Sequence, residues 1–217
     1  MEETPRYRHG GPVPDDDESG DDTESTDSLG ERLPVVAGLA VGTGAIAITY
    51  LTTLVAVLSV RRGLGDRLED EELPHLAIEA AWTVLINLGT ELQADGEAVQ
   101  AFDLTMTWNV LTFASSPVFL LGTFGVIVVA GYVVADYGRP ETVPEAVVAA
   151  LLVVPVYFVF AVTVATIATW SPTGEETIVG PSFSDAALYA GILVPALFAA
   201  IGGLLAIGRR TWVERRE

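Results

Sequence analysis

Residues 75–92 read "HLAIEAAWTVLINLGTEL", and the fold turns on whether this stretch crosses a bilayer. As one helix of 18 residues it reaches about 27 Å, slightly short of a roughly 30 Å hydrocarbon core. Leu76, Ile78, Val84, Leu85, Ile86, Leu88 and Leu92 together favour insertion by about 2–4 kcal/mol. One carboxylate at a helix centre costs about 2.5–3.5 kcal/mol, and Glu79 and Glu91 lie toward the ends, where the cost falls. The balance is near zero, so this helix needs protein neighbours.

His75, Glu79, Thr83, Asn87 and Glu91 are each four residues apart. On a helix they form one polar stripe that drifts about 40° per step. Three roles are open. The stripe lines a cavity or ion path, since intramembrane ionisable groups are functional candidates. Alternatively the helix is amphipathic and lies at the interface, or the stripe ties helices together inside a bundle. His75 and Glu79 share a face, but a pair without a third donor is not a metal site.

Around this stretch stand four clearer spans, at about 35–60, 117–136, 144–170 and 185–208. Each is apolar all round and has no ionisable group in its middle apart from tyrosines. A soluble helix would show a polar face, and this chain is too short to bury four such helices in a soluble core. Pro34 and Pro117 sit at helix starts, where a missing N–H does no harm. Ser116 and Ser184 are N-cap candidates, and Thr142 with Glu145 has capping-box spacing. Pro155 and Pro195 fall inside spans and are expected to kink them. Gly38 with Gly42, Ala40 with Gly44, Ala196 with Ala200, and Ala199 with Gly203 are small-xxx-small pairs suited to close helix approach. They serve packing within one subunit or, alternatively, a dimer face.

Arginine placement orients the spans, because positive charge near span ends marks the cytoplasmic side. If 75–92 crosses, eight arginines (61, 62, 67, 139, 209, 210, 215 and 216) lie inside and Arg32 alone outside. If it does not cross, the split is six against three. The rule therefore favours five spans, with the C-terminus cytoplasmic and the N-terminus outside. The expected fold class is an all-α membrane protein, a bundle of about five transmembrane helices over residues 34–210, followed by a basic cytoplasmic tail at 211–217.

The first 33 residues hold 11 acidic side chains against three arginines, a net −8. Such a segment cannot bury enough apolar surface to offset its ordering entropy, so an acidic, disordered tail is expected. It also places the first apolar run too late for a secretory signal, which makes that run a retained anchor. The net charge of −18 argues against a nucleic-acid partner. With no cysteine and two histidines, thiolate chemistry is excluded and a zinc site nearly so.

Outside the spans, "FDLTMTWNV" at 102–110 alternates apolar and polar residues, a strand pattern. "TIVGPSF" at 177–183 is a candidate partner for a small β-element on the outer surface. No HExxH, GxSxG, P-loop or dinucleotide fingerprint is present. "GTG" at 42–44 lies inside a span and lacks the strand–turn–helix context of a phosphate site. No catalytic residue, cofactor or metal is expected, and the chain reads as a non-enzyme.

The absence of lysine alongside this acidity resembles the composition of proteins from extremely halophilic archaea. Two further stretches carry a family resemblance: Pro117 followed by "AGYVVA" at 130–135, and "AGILVPALFAAIGG" at 190–203. Over about residues 34–208 the chain resembles an uncharacterised family of small multi-pass membrane proteins from haloarchaea, a domain of unknown function sometimes labelled transporter. Members carry an aromatic, His-containing segment after the Trp equivalent to Trp82, where this chain has "NLGTEL". The resemblance implies a membrane location and no established activity. Two functions follow as expectations. The first is a structural or accessory protein acting through the lipid bilayer and a membrane-protein partner, or as a homo-oligomer. The second is a small-solute or ion transporter or channel subunit, with Glu79, Asn87 and Glu91 lining the path.

Overall fold

The computed structural model describes residues 34–64, 73–99, 117–173 and 176–214. The 1–33 tail, the 102–110 alternation and Ser116 lie outside them. Four helices are long and apolar enough to cross a membrane: α1 (Val35–Leu64), α3 (Pro117–Gly138), α4 (Val143–Ile167) and α5 (Phe183–Trp212). Each begins or ends within a few residues of the span expected from sequence. The α5 helix runs on to Glu214, so the expected tail at 211–217 starts within a helix.

The opening stretch is different. It forms α2, only Leu76–Asn87, then a turn and the strand β1 (Leu92–Ala94). Twelve residues reach about 18 Å, too short for a crossing. The helix stops at glycine. Gly89 has φ +92°, its N–H donates to Ile86 O at 2.9 Å, and Thr90 N–H donates to Leu85 O at 3.0 Å. That pair of bonds closing over a left-handed glycine is the Schellman termination. The expectation of a transmembrane helix over 75–92, and with it a five-span bundle, is thus corrected to four long helices and one short one.

The ends of the bundle follow from contacts. Gly138, at the end of α3, abuts Pro34 at the start of α1, while Gly38 and Gly42 of α1 face Leu152, Val153 and Val156 of α4. Arg210 of α5 donates to Asp136 O at 2.6 Å. Pro34, the 139–142 loop and Arg210 therefore share one end. At the other end Arg61 donates to Pro74 O at 2.6 Å, and Trp82 Nε1 donates to Ala168 O, just past α4, at 2.6 Å. The short α2 starts and finishes at this second end, which it caps.

Over the cap lies a three-stranded antiparallel sheet in the order β2-β1-β3, with β2 Glu97–Ala98 and β3 Val179–Pro181. The 177–183 segment does supply a strand, and its partner among the described residues is β1. Asp95 (φ 51°) and Gly96 (φ 86°) make the hairpin turn, and an Asp-Gly pair suits two successive positive φ values.

Both interior prolines sit where the helix changes type. A 3-10 turn, Leu151–Val153, precedes Pro155, and a π-helical stretch, Ala186–Leu193, precedes Pro195. Such local adjustments accommodate the carbonyls that a proline leaves without an N–H. Thr142 caps α4, accepting from Glu145 N–H, while the Glu145 carboxylate accepts from Glu141 N–H at 2.9 Å. Ser182, not Ser184, caps α5.

Close backbone packing joins α3 to α5. A Cβ on Gly131 would strike the Ala199 backbone, and one on Gly202 would strike Val128 O and Tyr132 N. Gly203 lies against Ala146 O of α4. The candidate packing residues Gly38, Gly42, Ala199 and Gly203 thus all meet neighbours in the same subunit. Gly44, by contrast, has open space. Gly202→Ala should destabilise the bundle by about 1–3 kcal/mol through overpacking. Gly44→Ala should be neutral or stabilising by up to about 1 kcal/mol. Reversible unfolding in mixed detergent micelles measures both.

Candidate functional site

The cap helix α2 is enclosed by protein. Glu79 through Leu85 and Asn87 are buried, and its first half lies in a cleft with Tyr50 of α1, Phe160 and Val164 of α4, and Ala168 just past it. At its far end Gly89 meets Tyr189 of α5. So α2 lies across the bundle end from the α1–α4 groove to α5. This departs from an amphipathic helix resting on the interface, which would keep its polar face in water.

The polar stripe divides. His75 and Glu91 are exposed. His75 caps the helix, accepting from Ala77 N–H at 3.3 Å. Glu79 and Thr83 have no exposed surface and Asn87 is 3% exposed. Thr83 Oγ1 folds back to Glu79 O at 2.8 Å. Glu79 forms an ion pair with Arg61 of α1, although neither carboxylate oxygen takes a well-aligned hydrogen bond. Burial raises the Glu79 pKa, and the Arg61 charge opposes that rise. Among the described residues no three His, Asp or Glu side chains cluster to hold a metal ion, and His75 and Glu79 are not such a group.

Other polar groups join the interior that sequence spacing alone did not single out. Thr49 of α1, Thr90 and Tyr157 of α4 carry buried hydroxyls without hydrogen-bond partners, as do both amide atoms of Asn87. The Thr49 and Tyr157 hydroxyls are close enough to influence each other, but their geometry falls short of a hydrogen bond. Thr49 and Thr53 do have a sequence signal: they lie four apart on the same α1 face as Gly38, Gly42 and Ala45, a face whose small residues already mark it as inward. Tyr157 has no comparable signal in its apolar span.

Removing Arg61 leaves a buried, uncompensated carboxylate. Arg61→Ala should destabilise by about 3 kcal/mol at pH 8. A raised folded pKa means the folded state keeps a proton that the unfolded chain has released. The stability of Glu79 is then fully present below its ordinary value of 4.5 and is lost as pH rises through the folded value. Arg61→Ala should therefore recover toward pH 5, and Arg61→Ala with Glu79→Gln should be pH-independent. Thermal unfolding at pH 5 and pH 8 distinguishes these outcomes.

No curated protein and no solved structure matches this chain. Residues 17–210 do match a family of unknown function (DUF7978), and that match covers most of the sequence. The chain belongs to this family, and its apolar helices are compatible with a membrane protein.

Proposed function

We propose that this chain is a four-span integral membrane protein with a non-enzymatic, structural or accessory role. It works through the lipid bilayer and a membrane-protein partner or a second copy of itself. The observation that supports this reading is the enclosure of α2: its buried carboxylate is already neutralised by Arg61, so the stripe serves to hold the cap onto α1. Pro34 and Arg210 share one end of the bundle. With four crossings, the arginines that flank the spans in sequence divide six against three, the larger share falling on the side of the Pro34 and Arg210 span ends. Both termini of the bundle are therefore assigned to the cytoplasm and the cap to the outer face. The lysine-free, acidic composition fits a protein working in high salt, where excess negative charge favours solubility.

Topology is tested in the cysteine-free background. Gly63→Cys, beside the cap, should react with a membrane-impermeant maleimide on intact cells. Arg139→Cys should react only after lysis. The reverse pattern would overturn the assignment.

A transport reading is favoured by one observation: the interior holds Asn87, Thr90, Thr49 and Tyr157 with unpaired polar atoms, as a hydrated path would. Proteoliposomes separate the two functions. The accessory role predicts proton and alkali-cation fluxes equal to those of empty vesicles. A flux above that background that Glu79→Gln abolishes would establish transport instead.

A further inference from the structure

One cleft stands apart from the cap. It lies between α1 and α3, has a volume of about 270 Å³, and is lined among the described residues by Thr49, Thr52, Thr53, Phe119, Gly122 and Thr123 together with aliphatic groups. The mouth of the cleft faces outward, since Thr52, Val118 and Gly122 are exposed on the bundle surface. In a membrane that surface meets lipid, so an occupant enters from the bilayer.

The floor of the cleft is Thr49, which is 5% exposed. Five other hydroxyls in these helices fold back onto the carbonyl four residues earlier: Thr43, Ser59, Thr83, Thr123 and Thr166. Thr49 does not, and its Oγ1 is buried without a partner. A buried hydroxyl left unpaired costs about 1–3 kcal/mol, and the usual local remedy for threonine is that backward bond. Tyr157 lies close to Thr49, but with no hydrogen bond formed between them the Thr49 hydroxyl is left to donate into the cleft. Among the described residues no charged side chain lines the cleft, so an ionic occupant would be uncompensated by them.

We propose that this cleft binds the ring of a prenyl quinone. The ligand class follows from these constraints. It must be neutral, dissolve in the bilayer, and offer an oxygen acceptor to the Thr49 hydroxyl. It must also present a flat apolar face to Phe119 and fit a volume near the lower bound, roughly 300 Å³, of small-molecule sites. A quinone ring satisfies each condition, and its prenyl chain extends through the open mouth into lipid. The site does not depend on whether the protein is accessory or a transporter.

The test uses the full-length protein in lipid nanodiscs and a prenylated benzophenone, a photoreactive diaryl ketone on a prenyl chain. After irradiation, crosslinks are mapped by mass spectrometry. Saturable labelling is expected on residues 49–53 and 119–123, displaced by excess prenyl quinone. Thr49→Val should weaken it about tenfold, as loss of one buried hydrogen bond implies. Thr43→Val, whose hydroxyl is bonded to Leu39 O, should leave it unchanged. Gly122→Leu fills open space in the cleft and should abolish labelling without disturbing packing. It keeps the proposal exposed if Thr49→Val fails to fold. Labelling that does not saturate, that survives Gly122→Leu, or that spreads equally to the exposed Val129 and Leu197 overturns the proposal.

Discussion

A helix too short to cross a bilayer cannot be left in lipid with open ends, because hydrocarbon offers no partners for its terminal N–H and C=O groups. The α2 helix meets that constraint on several fronts. His75 takes the Ala77 N–H, and the turn at Gly89 closes carbonyls Leu85 and Ile86. Its Trp82 serves a neighbour, donating to Ala168 O where α4 unwinds. Ser182 N–H, at the start of α5, reaches back to Glu91 O at 2.8 Å. The cap thus satisfies its own backbone and the backbone of the helix ends that it covers. The small sheet extends the same solution, pairing β1 with the loop between α4 and α5.

Much of this was legible in the sequence, and the reason is physical. The four long spans declare themselves by length and apolarity, and three of their entrances by Pro34, Pro117 and the Thr142 cap, whereas the fourth starts at Ser182 and not at Ser184. The five-residue stripe does not mark one inward face: Glu79, Thr83 and Asn87 are buried along with most of α2, while His75 and Glu91 are exposed. The length of α2 is not legible from hydropathy, which is blind to Gly89, although a glycine after an apolar run is a known stop. Asp95–Gly96 was likewise an available turn signal, eclipsed by the stronger alternation at 102–110. The proximity of Thr49 and Tyr157 was not legible, since it depends on how α1 and α4 are offset, which no local pattern encodes.

Glycine and proline divide the labour of packing. Where Gly131 and Gly202 bring α3 and α5 into backbone contact, the close approach adds dispersion attraction between the two helices. The α4 and α5 helices then absorb their prolines by changing pitch before Pro155 and Pro195. The wider π-helical stretch carries Gly191 against Phe158 of α4 and Tyr189 toward Gly89. The irregular segment of α5 is thus the one that holds both α4 and the far end of the cap.

Arg61 explains why charge counting favoured a fifth crossing. The positive-inside rule treats each arginine as a free charge available to the cytoplasmic surface. Arg61 is not free: its guanidinium is committed to Glu79 and to Pro74 O. Its role is to compensate a buried carboxylate, so it follows Glu79 to whichever end of the bundle the cap occupies. Counted that way, the cap end loses part of its apparent positive bias. Without Arg61 the split becomes seven against one with a crossing and six against two without, so the ion pair that anchors α2 to α1 weakens the signal that pointed across the membrane, while Arg62 and Arg67 still carry the rest of it.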